Sequence, residues 1–302
     1  MKVGPFGLIL LLPTIALAHG GDHHLPSPRS LETWVALALV ASAALYLTGV
    51  IRLWSKLRIG RGVRVWQFCC FLLGWSLLAI ALISPVHALG ERLFAVHMLE
   101  HEVLMAVSAP LLVMARPVGG MFWALSQNGR RLVGRIERSR SVARVWSILI
   151  DPFAATLVHG VALWIWHLPV LFNAALASPA IHGLQHVSFF GTAILFWWAL
   201  LRGRARARGY GAAAIYLFVT ALHSGFLGIL LSLAKTPIYP GQSAAAPGWG
   251  LTPLEDQQLA GLIMWVPAGV VYAAAALAMV GIWISGSSTM SRSGGVHASL
   301  PR

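Results

Sequence analysis

FAVHMLEHEVLMAVSAPLLVM, residues 94–114, decides how this chain folds. Its 21 residues, at about 1.5 Å of rise each, span about 31 Å, the thickness of a bilayer's hydrocarbon core. Six further apolar runs of comparable length flank it: Leu31–Trp54, Val65–Ile83, Pro152–Phe172, Ile181–Leu201, Tyr210–Ala234 and Gln258–Ser285. Hydrophobic residues make up 58% of the chain and charged residues 10%, against roughly 25% charged in a soluble domain. A soluble protein of this composition could not cover its own surface, so lipid must solvate much of it. The expected fold is all-α: a polytopic membrane protein with seven transmembrane helices.

Charge orients the spans. Eighteen basic residues fall on one side: Arg52, Lys56, Arg58, Arg61 and Arg64 after the first run; Arg116, Arg130, Arg131, Arg135, Arg138, Arg140 and Arg144 after the third; Arg202, Arg204, Arg206 and Arg208 after the fifth; Arg292 and Arg302 in the tail. Arg29, Arg92 and Lys235 fall on the other. The rich side is cytoplasmic by the positive-inside rule. The net charge of +13 therefore describes membrane topology, and no nucleic acid is expected as a partner.

Residues 1–18 have the form of a signal peptide: Lys2, an apolar core around Leu8–Leu12, and the small-x-small site Ala16-Leu17-Ala18. That places the N-terminus outside, and seven spans then put the C-terminus in the cytoplasm, as the charges do. The expected organisation is a signal peptide (1–18), a His-rich extracytoplasmic tail (19–30), a seven-helix domain (31–285) and a cytoplasmic tail (286–302). Location in a bacterial plasma membrane follows.

Histidines are the chemistry-bearing residues. His97 and His101 sit four apart, as do His182 and His186; that spacing puts both rings on one helix face, about 6 Å apart in height. Mapping depth along alternating spans brings these four, His167, Glu100 and Asp256 to the outer part of the bilayer, while His159 and His223 lie deeper. Ionisable residues in a membrane are costly and mark function by default, although one such histidine can serve only as an interhelical hydrogen-bonding group. The expected site is a metal or haem centre opening outward, with ligands drawn from His97, His101, His167, His182, His186, His223, Glu100 and Asp256, and with His159 secondary. Imidazole suits copper, zinc and iron, and thioether suits Cu(I). Met98 and Met264 lie near the cluster and tilt the choice to copper, though a methionine in an apolar helix also serves as plain packing. A mature N-terminus at His19, with His23 and His24 nearby, is a second candidate chelate. The two cysteines, Cys69 and Cys70, are adjacent and read as small buried hydrophobes far from this cluster. No Walker loop, dinucleotide fingerprint or nucleophile elbow is present, and no enzymatic activity is expected.

The run His97-Met98-Leu99-Glu100-His101 leads to Ala109-Pro110-Leu111-Leu112 and Arg116-Pro117. With Trp164-Ile165-Trp166-His167-Leu168-Pro169, His182-Gly183-Leu184-Gln185-His186, His223-Ser224-Gly225, Pro253-Leu254-Glu255-Asp256-Gln257-Gln258 and Met264-Trp265-Val266-Pro267, it resembles the multi-spanning caa3-type cytochrome c oxidase assembly factor family, called CtaG. Glu100 departs from the glutamine common in that family and adds negative charge beside the histidines. The resemblance implies a plasma-membrane protein that assembles a haem–copper oxidase at its copper centre, with an oxidase subunit as client and a periplasmic copper chaperone as possible donor. Two other functions fit the residues: a copper transport or tolerance protein, and a haem-binding electron-transfer protein. Only His159 and His223 line a path through the bilayer, which makes it a poor one for transport.

Overall fold

A computed structural model describes residues 28–202 and 209–294, with side chains over 33–202 and 209–285. The proposed signal peptide, His19, His23, His24, Arg204, Arg206, Arg208 and Arg302 lie outside the described residues. The chain is helical, with no strand among the described residues.

Among the described residues, six helices are long and apolar enough to cross a membrane. They belong to α1 (Pro28–Leu57), α2 (Val65–Ile83), a composite running Phe94–Ala115, α11 (Pro179–Leu201), α12 (Tyr210–Ser232) and α13 (Pro253–Gly294). Both ends of the expected domain move. The first helix starts at Pro28, where a proline is tolerated because its missing N–H would be unpaired anyway. The last continues past Ser285 to Gly294.

The expected span over Pro152–Phe172, which Pro169 could kink, is not one helix. It divides into α9 (Pro152–Trp166) and α10 (Pro169–Ala177). Pro169 is the cause: it lacks an N–H and pushes Leu168 into an extended conformation, φ −67° and ψ 131°. The 15 residues of α9 reach only about 22 Å. Preceding it, α8 (Arg140–Leu149) meets α9 at 68°, and Asp151 at that corner accepts the N–H groups of Phe153 and Ala154.

The composite span is the middle of the molecule. It comprises α4 (Phe94–Glu102), a π-helical turn (Val103–Ser108) and α5 (Ala109–Ala115). Pro110 cannot continue the α ladder, and the wider turn before it bonds Ala109 N–H to the Leu104 carbonyl, five residues back. Two side-chain bonds secure this turn. Ser108 Oγ donates to the Gly74 carbonyl at 2.7 Å, and Trp197 Nε1 donates to the Met105 carbonyl at 2.9 Å. Such π turns recur at functional sites.

Outward faces are apolar, as lipid requires: Ile215, Phe218 and Leu222 on α12, and Val270 and Leu277 on α13, are all exposed. Between those two helices the backbones nearly touch. A Cβ at Gly261 would stand 2.5 Å from the Gly228 carbonyl oxygen, the small-residue crossing by which membrane helices pack closely. Between the spans lie α3 (Pro85–Gly90), α6 (Pro117–Ala124) and α7 (Gln127–Glu137). With α8, α7 carries the arginine-rich segment, and neither buries a residue.

Candidate metal centre

The centre is built where α4 and α11 start. No side chain of α4 itself caps its first turn. Instead Asp256 of α13 accepts Phe94 N–H at 2.8 Å and Ala95 N–H at 3.0 Å. A carboxylate at a helix N-terminus complements the dipole and satisfies otherwise orphaned amides. Asp256 is thus committed to the backbone of the histidine-bearing helix, although it had been expected among the ligands.

From that anchored start the two i,i+4 pairs project toward each other. Ring centroids stand 4.3 Å apart for His97–His101 and 4.4 Å for His182–His186. Across the helices the spacings are 5.3 Å for His97–His182, 6.2 Å for His97–His186 and 5.1 Å for His101–His186. One nitrogen each from His97, His182 and His186 lies within 4.8 Å of the other two. An ion centred among corners 4.8 Å apart would stand about 2.8 Å from each, against about 2.0–2.1 Å for an imidazole bond. Closing in by less than about 1 Å makes the three rings ligands.

Their hydrogen bonding suits that role. Both nitrogens of His97 and His101, and Nε2 of His182 and His186, are buried without a partner. A neutral imidazole has one acceptor nitrogen, so each ring keeps a lone pair that an ion could take. A cavity of about 420 Å³ opens on His97, His182 and His186, with His87, Glu91 and Gln242 also in its wall.

The other expected residues divide. Glu100 is 1% exposed, with Oε2 3.4 Å from His87 Nδ1 and Oε1 unpartnered. It fits there because α3 ends in Gly90, where a Cβ would stand 2.7 Å from Glu100 Oε2. His167, capping the end of α9, donates Nδ1–H to the Leu163 carbonyl at 2.7 Å and leaves Nε2 buried and unpartnered. Its own carbonyl accepts the Tyr239 hydroxyl; burial pushes that phenol up to about 12, so it stays a donor. His159 and His223 stand apart. His159 Nδ1 meets Thr192 Oγ1 at 3.0 Å, and His223 lies against Gly160. Met98 and Met264 are buried, and neither is among the described residues lining the cavity.

His87 was not anticipated. It rides on α3, with its ring 5.7 Å from His182 and 5.8 Å from His186. The signal available was Ser84-Pro85, an N-cap and first-turn proline opening a helix: Ser84 Oγ accepts Val86 N–H at 3.0 Å. The loop between α12 and α13 folds over the same end, with Gln242 Nε2 donating to the Gly90 carbonyl at 2.7 Å.

A model of the cytochrome c oxidase caa3 assembly factors matches residues 44–285, a stretch that contains every part of this centre. The chain belongs to that family. As a family member it is also 26% identical, over 258 residues, to an uncharacterized protein of Mycobacterium bovis and, to the same extent, to one of Mycobacterium tuberculosis. The matches cover 80% of this chain but only 39% of each relative, so the family member spans about two fifths of their length. No solved structure matches it.

Proposed function

We propose that this family member carries a copper ion at His97, His182 and His186 and releases it to a haem–copper oxidase subunit during assembly. The observation that carries the reading is the convergence of those three nitrogens within 4.8 Å at a cavity. Copper is cargo here. Imidazole also suits zinc and iron; the copper of the client enzyme selects among them. The ion changes ligands and nothing else, so no catalysis is involved.

The reading includes a bacterial plasma membrane, cleavage after Ala18, an extracytoplasmic N-terminus and a cytoplasmic C-terminus. The seventh span is then α9 with α10, while α8 lies along the cytoplasmic surface. Arg130, Arg131, Arg135, Arg138, Arg140 and Arg144, on α7, α8 and the turn between them, support that side assignment. The centre then faces outward, where a periplasmic copper chaperone can reach it.

Elemental analysis of detergent-purified protein after copper loading tests the reading. Wild type should retain copper through desalting, and His97→Ala/His186→Ala should lose it. Wild type that retains none would sink it, and an absorption spectrum of the same sample would reveal haem.

A further inference from the structure

Exposure falls stepwise from the protein surface to the centre. Glu91 is exposed, the His87 side chain is 16% exposed, His182 is partly buried, and His97 and His186 are buried. His87 and Glu91, with Leu82, also form the partition between the centre's cavity and a neighbouring one. That neighbour is lined by Thr33 and Ala36 of α1 and by Ser84, Pro85 and Ala88 at the corner into α3. Two spaces therefore meet at one imidazole and one carboxylate in an otherwise largely apolar wall.

Glu100 adds a third group. Its carboxylate is held near His87 with one oxygen unpartnered and buried. The group beside it is the His87 imidazole, which gives it no fixed countercharge. A carboxylate in such surroundings is costly unless a cation stands nearby. A cation entering the same surroundings has the complementary need.

We propose that His87, Glu91 and Glu100 form an entry site, separate from the resting site, which takes a copper ion from the α1–α3 side and hands it to His182. This rests on the copper reading above. Glu91 attracts the cation at the surface, His87 supplies the first nitrogen, and Glu100 offsets the charge as the ion leaves water. Transfer is ligand exchange: the bond to His87 breaks as the bond to His182 forms, the rings being 5.7 Å apart, and the oxidation state is unchanged. Because the entry groups are carboxylates and one imidazole, they hold copper more loosely than three imidazoles do.

The test measures uptake rate and final stoichiometry together. Full-length protein in detergent, with His19, His23 and His24 changed to alanine, is mixed with Cu(I) held by a coloured chelator, and loss of colour is followed. Glu91→Gln and His87→Ala should each slow uptake at least about tenfold, the size expected of lost electrostatic steering, with final copper per chain unchanged. Glu137→Gln, on α7, should match wild type. Glu91 is exposed, so its substitution leaves packing intact. Uptake at the wild-type rate in both entry variants overturns the proposal. So does lost stoichiometry in His87→Ala with normal kinetics in Glu91→Gln, since His87 would then belong to the resting site. Wild type that takes up no copper removes the copper reading itself, a result distinct from either.

Discussion

The rings of His97 and His182 stand 5.3 Å apart, although 84 residues separate them in the chain. Their neighbours along each helix, His101 and His186, repeat the approach one turn on, at 5.1 Å and edge to face with each other. Two helices that meet with matched i,i+4 pairs build a four-imidazole block whose removal should leave the scaffold standing, because membrane interhelical hydrogen bonds average only about 0.6 kcal/mol and these rings make none that holds the helices together.

His97→Ala/His101→Ala is therefore expected to insert and fold, while the oxidase it serves loses activity. The loss should be largest at limiting copper and partly reversed by added copper, with other copper enzymes unaffected. Oxidase activity and membrane content of the variant, measured together, check this. Changed cell copper with a fully active oxidase would point to transport instead.

Asp256→Ala should destabilise the protein by about 1–2 kcal/mol, the usual loss for a helix cap, and should also weaken copper binding. Asp256→Asn keeps an acceptor and should lose less on both counts. Thermal unfolding in detergent alongside a chelator competition reads the two effects. A normal copper affinity in Asp256→Ala would show that capping does not position His97.

Gly261→Leu should be among the most damaging changes outside the centre. Even a Cβ meets the Gly228 oxygen at 2.5 Å, and overpacking a tight contact costs about 1–3 kcal/mol or more. Faster proteolysis and a lower unfolding temperature are the expected signs, whereas Gly269→Ala, where a Cβ meets nothing within 4 Å, should be neutral.

Topology is checked by labelling single cysteines with an impermeant reagent. Cys69 and Cys70 are free thiols and, against the expectation of burial, Cys69 is exposed and Cys70 only half-buried, so both are first changed to alanine. Ala244→Cys, in the loop between α12 and α13, should label in intact cells, and Arg131→Cys, on α7, only after lysis. The reverse pattern would turn the centre to the cytoplasm.

Much of this was legible in the residues. The spacing of four in each histidine pair is a property of the α helix, so shared faces at helix starts followed directly. Pro169 announced a disturbance of the fourth run, though whether a proline kinks or divides a helix depends on what packs around it. Other features depend on azimuth and on distant partners. Nothing local marks Asp256 as a cap for Phe94, because the two meet only when α13 packs beside α4. His223 shares the membrane with the cluster but turns to Gly160, a rotation that depth alone does not encode. His87 sits in what looked like a connection between spans; its six-residue helix is too short to show a period.

The cap on α4 also sets an order of events during biogenesis. A ribosome releases the N-terminal half first, so Phe94–Glu102 enters the bilayer while Asp256, 162 residues downstream, has yet to be made. Until α13 arrives, the first amides of the histidine-bearing helix lack the carboxylate that caps them in the folded chain. A chain terminated before Pro253 would contain every histidine of the centre and still lack the means to align them. The last span thus supplies the cap on the helix that bears His97 and His101.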